Sequence, residues 1–200
     1  MTKEEANKCT HIWMPEESGQ VLVGLPYRAG LPKEEVLKFY SKWAADGKYE
    51  QDLCLEDYKG PVIAANALAK HFGSSIPQTK VLDVASGTGM VGKQLQDRGF
   101  KHLDALEPAA GMLEQARKKN IYTNLYCEFL DGKRLPIDDG GLVCIVMKES
   151  YLSQCKEYME GLEQLMKELE DAGKWKRLSR HVVPKYSYDD NGVIFRFRIC

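Results

Sequence analysis

Residues 80–92 have the sequence KVLDVASGTGMVG, and this stretch decides the fold. Residues 80–85 form a short, mostly apolar run, two glycines interrupt the chain between 86 and 89, and helical spacing follows up to Gly99. The change of period predicts a strand, a tight glycine turn and a helix.

The same alternation continues towards the C-terminus. Further strands are predicted at 103–106, 125–130 and 142–147, with helices over 109–120 and 152–172, and the chain closes with a hairpin of 181–183 and 193–199. Alternating strands and helices predict the α/β class, with a doubly wound, mostly parallel sheet and right-handed crossovers.

Towards the N-terminus the pattern is different. Residues 1–31 mix charges, prolines and glycines without periodicity, which predicts a flexible arm. From Pro32, apolar residues recur at helical spacing, and a second helix starts at Pro61 and ends at Gly73. We therefore expect one domain over 32–200, in which a helical cap (32–75) precedes the α/β sheet (76–200).

Composition narrows the classes of function. The chain has 200 residues, 44% of them hydrophobic, and a net charge of −1, which lacks the basic excess typical of nucleic-acid binding. The six cysteines include no pair at zinc or redox spacing, so we expect reduced thiols and no metal. No signal-like or membrane-spanning apolar run is present, which predicts an intracellular, cytoplasmic or nuclear protein without a membrane partner.

Two cofactor classes fit the glycine turn. Residues 87–92 match GxGxxG between a strand and a helix, and Glu107 follows the next strand, where a carboxylate can accept two hydrogen bonds from a ribose diol. Glycine allows close backbone approach to the ligand in both a nicotinamide dinucleotide site and an S-adenosylmethionine site.

Asp83 discriminates between the two. Dinucleotide folds usually continue apolar from the strand into the glycine turn, whereas here an acid precedes it. A carboxylate favours the sulfonium and ammonium of S-adenosylmethionine and repels a diphosphate. The residues therefore favour S-adenosylmethionine, and a nicotinamide oxidoreductase remains an alternative.

Several stretches resemble the class I S-adenosylmethionine-dependent methyltransferases. LDVASGTGMVG, LEPAAGML and the loop that contains Asp131, Leu135 and Pro136 carry this resemblance. KFYSKWA, GMLEQAR and LEQLMKELEDAGKW are more closely similar to the methyltransferase-like proteins of the Williams-Beuren syndrome region. The resemblance runs from about Pro32 to the C-terminus and implies a Rossmann-like fold with S-adenosylmethionine as cofactor.

The resemblance also implies roles for individual residues. The methionine part of the cofactor would be wrapped by Ala85, Ser86, Gly87 and Gly89. Glu107, beside Pro108 at the strand end, would hold the ribose, and Asp131 with Gly132 would reach the adenine edge. Tyr40 and Trp43 would close the pocket from above.

The chain departs from this family in one respect. Only eleven residues separate Leu130 from Leu142, whereas the family carries a further strand and helix between the corresponding strands. Eleven extended residues span roughly 36 Å, enough to cross a missing strand. We therefore expect a six-stranded sheet, with residues 142–147 beside the first strand and without the loop that contributes to the acceptor site.

These features predict an S-adenosylmethionine-dependent methyltransferase that acts by direct displacement. No catalytic base is identified, since methyl transfer to a good nucleophile depends mainly on alignment. We expect a protein or small-molecule acceptor rather than nucleic acid, and the oligomeric state is not predicted. A catalytically impaired binding or scaffold protein is the alternative.

Overall fold

A computed structural model describes residues 32–130, 140–159, 161–188 and 190–200. The helices are α1 (Lys33–Ala45), α2 (Lys48–Asp52), α3 (Gly60–Phe72), α4 (Met90–Gln96), α5 (Ala110–Lys118), α6 (Tyr151–Gln154), α7 (Lys156–Met159) and α8 (Leu162–Asp171), with a 3-10 helix at Gly73–Gln78. The strands are β1 (Lys80–Val84), β2 (His102–Leu106), β3 (Asn124–Tyr126), β4 (Leu142–Lys148), β5 (Trp175–Ser187) and β6 (Asp190–Ile199). None of the described helices is long and apolar enough to cross a membrane.

The first half of the α/β region forms a parallel sheet of order β1-β2-β3. Gly87 and Gly89 have φ angles of 55° and 85°, which lets the chain turn sharply from β1 into α4. The predicted strand, glycine turn and helix are therefore confirmed, as is the α/β class.

The second half forms a separate antiparallel sheet of order β4-β6-β5. This sheet contains the predicted C-terminal hairpin. The expectation of one six-stranded sheet with residues 142–147 beside the first strand is wrong. Among the described residues, β1 pairs only with β2. Strand β4 pairs only with β6, along a seven-residue antiparallel ladder, and no described strand lies between β4 and β1.

Two other elements differ from their predictions. The helix expected over 152–172 is divided into α6, α7 and α8, with an extended backbone at Cys155 and a non-helical Gly161 at the breaks. The third strand is shorter than expected because its pairing stops where β2 ends, at Leu106 opposite Tyr126.

Apolar packing holds the layers together at three places. One cluster joins α3 and α4 to β2 and contains Ala65, Leu95, Phe100 and Leu103. A second lies between α8 and the antiparallel sheet and contains Met166, Val193, Phe195 and Phe197. A third, with Ala44, Ala109 and Met112, joins the cap to the region around α5.

Backbone hydrogen bonds attach the end of the cap to the antiparallel sheet. The Lys59 N–H donates to the Tyr186 carbonyl at 2.7 Å, and the Tyr188 N–H donates to the Asp57 carbonyl at 2.8 Å. The Tyr58 and Tyr186 rings meet edge to face, with centroids 5.6 Å apart. The cap therefore contacts both halves of the α/β region, through α1 on α5 and through residues 57–59 on the antiparallel sheet.

Helix α1 crosses α5 at Gly111. The Gly111 N–H donates to Ser41 Oγ at 3.2 Å, and a Cβ at this glycine would lie 2.6 Å from the Ser41 carbonyl oxygen. Glycine is therefore required here by close approach of two backbones.

Gly111→Ala should destabilise the fold by about 1–3 kcal/mol, because the added methyl has no room against the α1 backbone. A loss of stability would be the opposite of the usual effect of this substitution, since alanine is ordinarily favoured over glycine in helices. Urea unfolding measures the effect, and the exposed neighbour Ala110→Ser should change stability by less than about 0.5 kcal/mol. A more stable Gly111→Ala chain would contradict the close crossing.

Candidate functional site

A cavity of about 390 Å³ lies where β1 and β2 end, beneath the cap. Its wall includes Ala85 and Gly87 from the glycine turn and Glu107, Pro108 and Ala109 from the end of β2. Side chains of α1 close it from the other side. The structure thus brings four predicted site residues of two neighbouring strand ends together with the cap residue Tyr40.

Glu107 is the buried carboxylate of this cavity, with 7% of its surface exposed. Its Oε2 accepts a hydrogen bond from the Gly87 N–H at 3.0 Å, and its Oε1 accepts one from the Ala109 N–H at 2.8 Å. A carboxylate offers about four acceptor positions, so these two bonds leave acceptor capacity for a ligand. The same bonds fix the orientation of the carboxylate and join the turn after β1 to the end of β2.

The turn itself is unusual in two respects. Ala85 has a φ of 57°, a left-handed conformation that is costly for a residue with a side chain. The hydroxyls of Ser86 and Thr88 are buried and have no hydrogen-bond partner. Strain and unsatisfied buried donors are uncommon in a purely structural turn, and here both occur in the turn whose residues Ala85 and Gly87 line the cavity. Ser86, a predicted ligand contact, does not itself line the cavity.

Asp83 does not line the cavity, which corrects the expectation that both carboxylates face the ligand. Its Oδ2 accepts a hydrogen bond from the Tyr122 hydroxyl at 2.6 Å, and its carboxylate also bonds to the Gly92 backbone. The pKa of Asp83 is raised to about 6, mainly by burial and in smaller part by the charge of Glu107, against the two hydrogen bonds that lower it. Asp83 therefore anchors the start of α4 behind the glycine turn.

The raised pKa of Asp83 predicts a pH-dependent stability. The pKa of this carboxyl is about 6 in the folded chain against an ordinary value of 3.8, so stability that is fully present below pH 3.8 is lost as pH rises to 6. Relative to Asp83→Asn, the unfolding free energy of the natural chain should fall by roughly 2 kcal/mol between pH 4 and pH 8. Urea unfolding at both pH values measures this difference.

A carbon-13 NMR titration of the Asp83 carboxyl provides the independent check. Tyr122→Phe removes a donor that favours the ionised form, so it should move the titration to higher pH. A carboxyl that titrates below pH 4 in the natural chain would contradict the assignment.

The two aromatic residues predicted to close the pocket have different positions. Tyr40 lines the cavity. Trp43 does not, because it is 2% exposed and its Nε1–H donates to Asp52 Oδ2 at 2.8 Å. The Trp43 ring packs against Tyr40, and against Tyr49 with centroids 4.8 Å apart. Trp43 thus supports the residues that cover the cavity.

Several lining residues were not predicted as site residues. They are Lys33, Val36, Leu37, Tyr49, Ala109, Met112 and Phe129. Val36 and Leu37 precede Tyr40 by one helical turn, a spacing that could have indicated them. Phe129 carried no such signal, and Lys33 lies over its ring at 5.3 Å. Gly89 is the N-cap residue directly before α4, and Asp131 and Gly132 lie outside the described residues.

A parallel sheet with a glycine turn and a carboxylate at the end of β2 is the arrangement expected of the class I S-adenosylmethionine-dependent methyltransferases, and comparisons with known proteins assign the chain to this class. Residues 81–173 match the family model described as a methyltransferase domain. Human methyltransferase-like protein 27 is 30% identical over 180 aligned positions, which cover 74% of this chain and 72% of that protein. The chain belongs to this methyltransferase family.

Solved structures agree on the fold. An S-adenosylmethionine-dependent methyltransferase from Leishmania major gives a TM-score of 0.55 at 11% identity, with 82% of each chain covered. The glycopeptide N-methyltransferase MtfA in complex with S-adenosylmethionine gives 0.51 at 14% identity, covering 70% of this chain and 94% of that one.

The aligned region of the human relative is longer than the matching region of this chain. The covered 74% of this chain amounts to about 148 residues, fewer than the 180 aligned positions. About 30 aligned positions of the relative therefore have no counterpart here.

Proposed function

We propose that this chain binds S-adenosylmethionine in the cavity at the ends of β1 and β2 and transfers its methyl group by direct displacement. The acceptor in this proposal is a protein or small molecule. The observation that carries it is the Glu107 carboxylate, which is held at the cavity wall by Gly87 and Ala109 with acceptor capacity left over. That arrangement suits a ribose diol, which donates two hydrogen bonds.

Other features of the site fit the same ligand. A volume of about 390 Å³ falls in the range of small-molecule sites. Gly87 lets the backbone approach a ligand closely beside an apolar wall, and the buried hydroxyls of its neighbours Ser86 and Thr88 have no hydrogen-bond partner directly behind that wall. Met112 and Tyr40 supply part of that wall, which suits the flat face of a nucleoside base.

Different residues would contact different parts of S-adenosylmethionine. Glu107 would hold the ribose, and Ala85, Ser86 and Gly87 would contact the methionine part. Asp131 and Gly132 remain predicted contacts of the adenine. When bound, S-adenosylmethionine supplies an electrophilic methyl group, and the contribution of this chain is to orient it and to exclude water under the cap.

A second candidate function is cofactor binding without turnover. The observation that favours it is that no strand joins β1 to β4 among the described residues, at the place where the resemblance implies a strand and loop of the acceptor site. Radiolabelled methyl transfer from S-adenosylmethionine to the proteins and small molecules of a cell extract distinguishes the two. Turnover supports the methyltransferase, and S-adenosylhomocysteine binding without turnover supports the second candidate.

Glu107→Ala should weaken S-adenosylhomocysteine binding by about 100-fold or more, because two hydrogen bonds to a charged acceptor contribute roughly 1.5–3 kcal/mol each. Calorimetric titration measures the affinity. Glu114→Ala, which removes an exposed carboxylate of α5, is the matched control and should bind as the natural chain does. Absence of binding by the natural chain, or equal binding by Glu107→Ala, would exclude this site.

Ser86→Ala should affect stability and affinity in opposite directions. Removal of a buried hydroxyl without a partner should stabilise the ligand-free chain by about 1 kcal/mol, whereas loss of a ligand contact should weaken S-adenosylhomocysteine binding by about 5- to 10-fold. Thermal unfolding and calorimetry measure the two effects. Ser74→Ala, at an exposed position, should change neither, and a Ser86→Ala chain with unaltered affinity would show that this hydroxyl does not contact the ligand.

A further inference from the structure

Tyr49 lies over the glycine turn, on the cap side of the cavity. A Cβ placed on Gly87 would come within 3.8 Å of the Tyr49 hydroxyl oxygen, so this hydroxyl is close to the Gly87 backbone. Tyr49 and Gly87 both line the cavity. The Tyr49 hydroxyl therefore lies beside the part of the turn where a ligand can approach the main chain.

Contacts of α2 fix the position of this side chain. The Tyr49 ring meets the buried Trp43 ring nearly edge to face, at an interplanar angle of 77°. The next residue, Glu50, pairs with Lys119 directly after α5, with 2.5 Å between Oε1 and Nζ. Tyr49 is thus held in place by the protein itself, and a group that is already ordered loses little conformational entropy when a ligand binds.

The covalent structure of S-adenosylmethionine determines where its sulfur would lie. The sulfur belongs to the methionine chain and is joined to the ribose through a single methylene group. In the proposed binding mode the ribose is at Glu107 and the methionine part is at the glycine turn, and the Gly87 N–H donates to Glu107 Oε2 at 3.0 Å. Because these two positions are adjacent, the sulfur between them would lie beside Gly87 and close to the Tyr49 hydroxyl.

This sulfur is positively charged in S-adenosylmethionine and neutral in S-adenosylhomocysteine. The Asp83 carboxylate, first expected to face the charge, is bonded to the Tyr122 hydroxyl instead. A tyrosine can also attract a cation, because its ring has a negative face and its hydroxyl oxygen is a hydrogen-bond acceptor. The attraction is stronger in a partly desolvated place such as the half-buried position of Tyr49.

We propose that Tyr49 recognises the positively charged sulfur of S-adenosylmethionine and thereby distinguishes the methyl donor from the product, S-adenosylhomocysteine. This inference rests on the proposed function, since it requires that the cofactor binds in this cavity. When the methyl group is transferred, the electron pair of its bond to sulfur stays on the sulfur and cancels the charge. Tyr49 therefore contributes to the affinity for the donor and not to the affinity for the product.

Calorimetric titration of the full chain with each of the two ligands tests this role. Tyr49→Phe removes the hydroxyl and keeps the ring, so it should weaken S-adenosylmethionine binding by about five-fold and change S-adenosylhomocysteine affinity by less than about two-fold. Tyr49→Leu also removes the ring, and should reduce the preference for S-adenosylmethionine over S-adenosylhomocysteine by about ten-fold or more, relative to the natural chain.

Tyr158→Phe, which removes an exposed hydroxyl of α7, is the matched control and should leave both affinities unchanged. Circular dichroism and thermal unfolding check that each variant is folded. A change on Tyr49→Phe that is equal for the two ligands, or larger for S-adenosylhomocysteine, would overturn this inference and leave the proposed function intact. Failure of the natural chain to bind either ligand would overturn both.

Discussion

The site depends on the two hydrogen bonds that Glu107 accepts from the backbone. Gly87 belongs to the turn after β1 and Ala109 to the chain just before α5, so one carboxylate fixes two neighbouring loops against each other. Its burial makes these bonds strong, because a charged acceptor in a poorly solvated place gains more from each donor. The shape of the cavity wall follows from this constraint. The same group that would recognise a ribose therefore also holds the loops that surround it.

The local parts of the fold could be predicted from the sequence, since they depend on neighbouring residues. The glycine turn follows from Gly87 and Gly89, and the first helix follows from the spacing of Tyr40 and Trp43 on one face. The division into two sheets could not be predicted in the same way, because strand pairing joins residues far apart in the chain. Residues 142–147 have the composition of an interior strand, and that composition does not specify which strand pairs with them.

The site was predictable to a similar extent. A carboxylate before a glycine turn and another after the next strand are visible in the sequence, but the direction of each side chain is not. The Asp83 carboxylate is withdrawn from the cavity by Tyr122, which lies 39 residues away along the chain. Trp43 is buried and donates a hydrogen bond to Asp52, whereas Tyr40 on the same helical face lines the cavity. The family assignment rests on the relatives and does not depend on a favourable interaction between the Asp83 carboxylate and a cationic ligand.

The attachment of the cap to both sheets has a mechanical consequence. Helix α1 is anchored through Ser41 on Gly111, and residues 57–59 are anchored on Tyr186 and Tyr188. Tyr49, which covers the cavity, lies in the chain between these two anchors. Among the residues that the structure describes, the two sheets share no backbone ladder. The cover of the cavity is therefore held at both ends, on α5 beside the first sheet and on β5 of the second, and a shift of one sheet relative to the other would move one end of this cover.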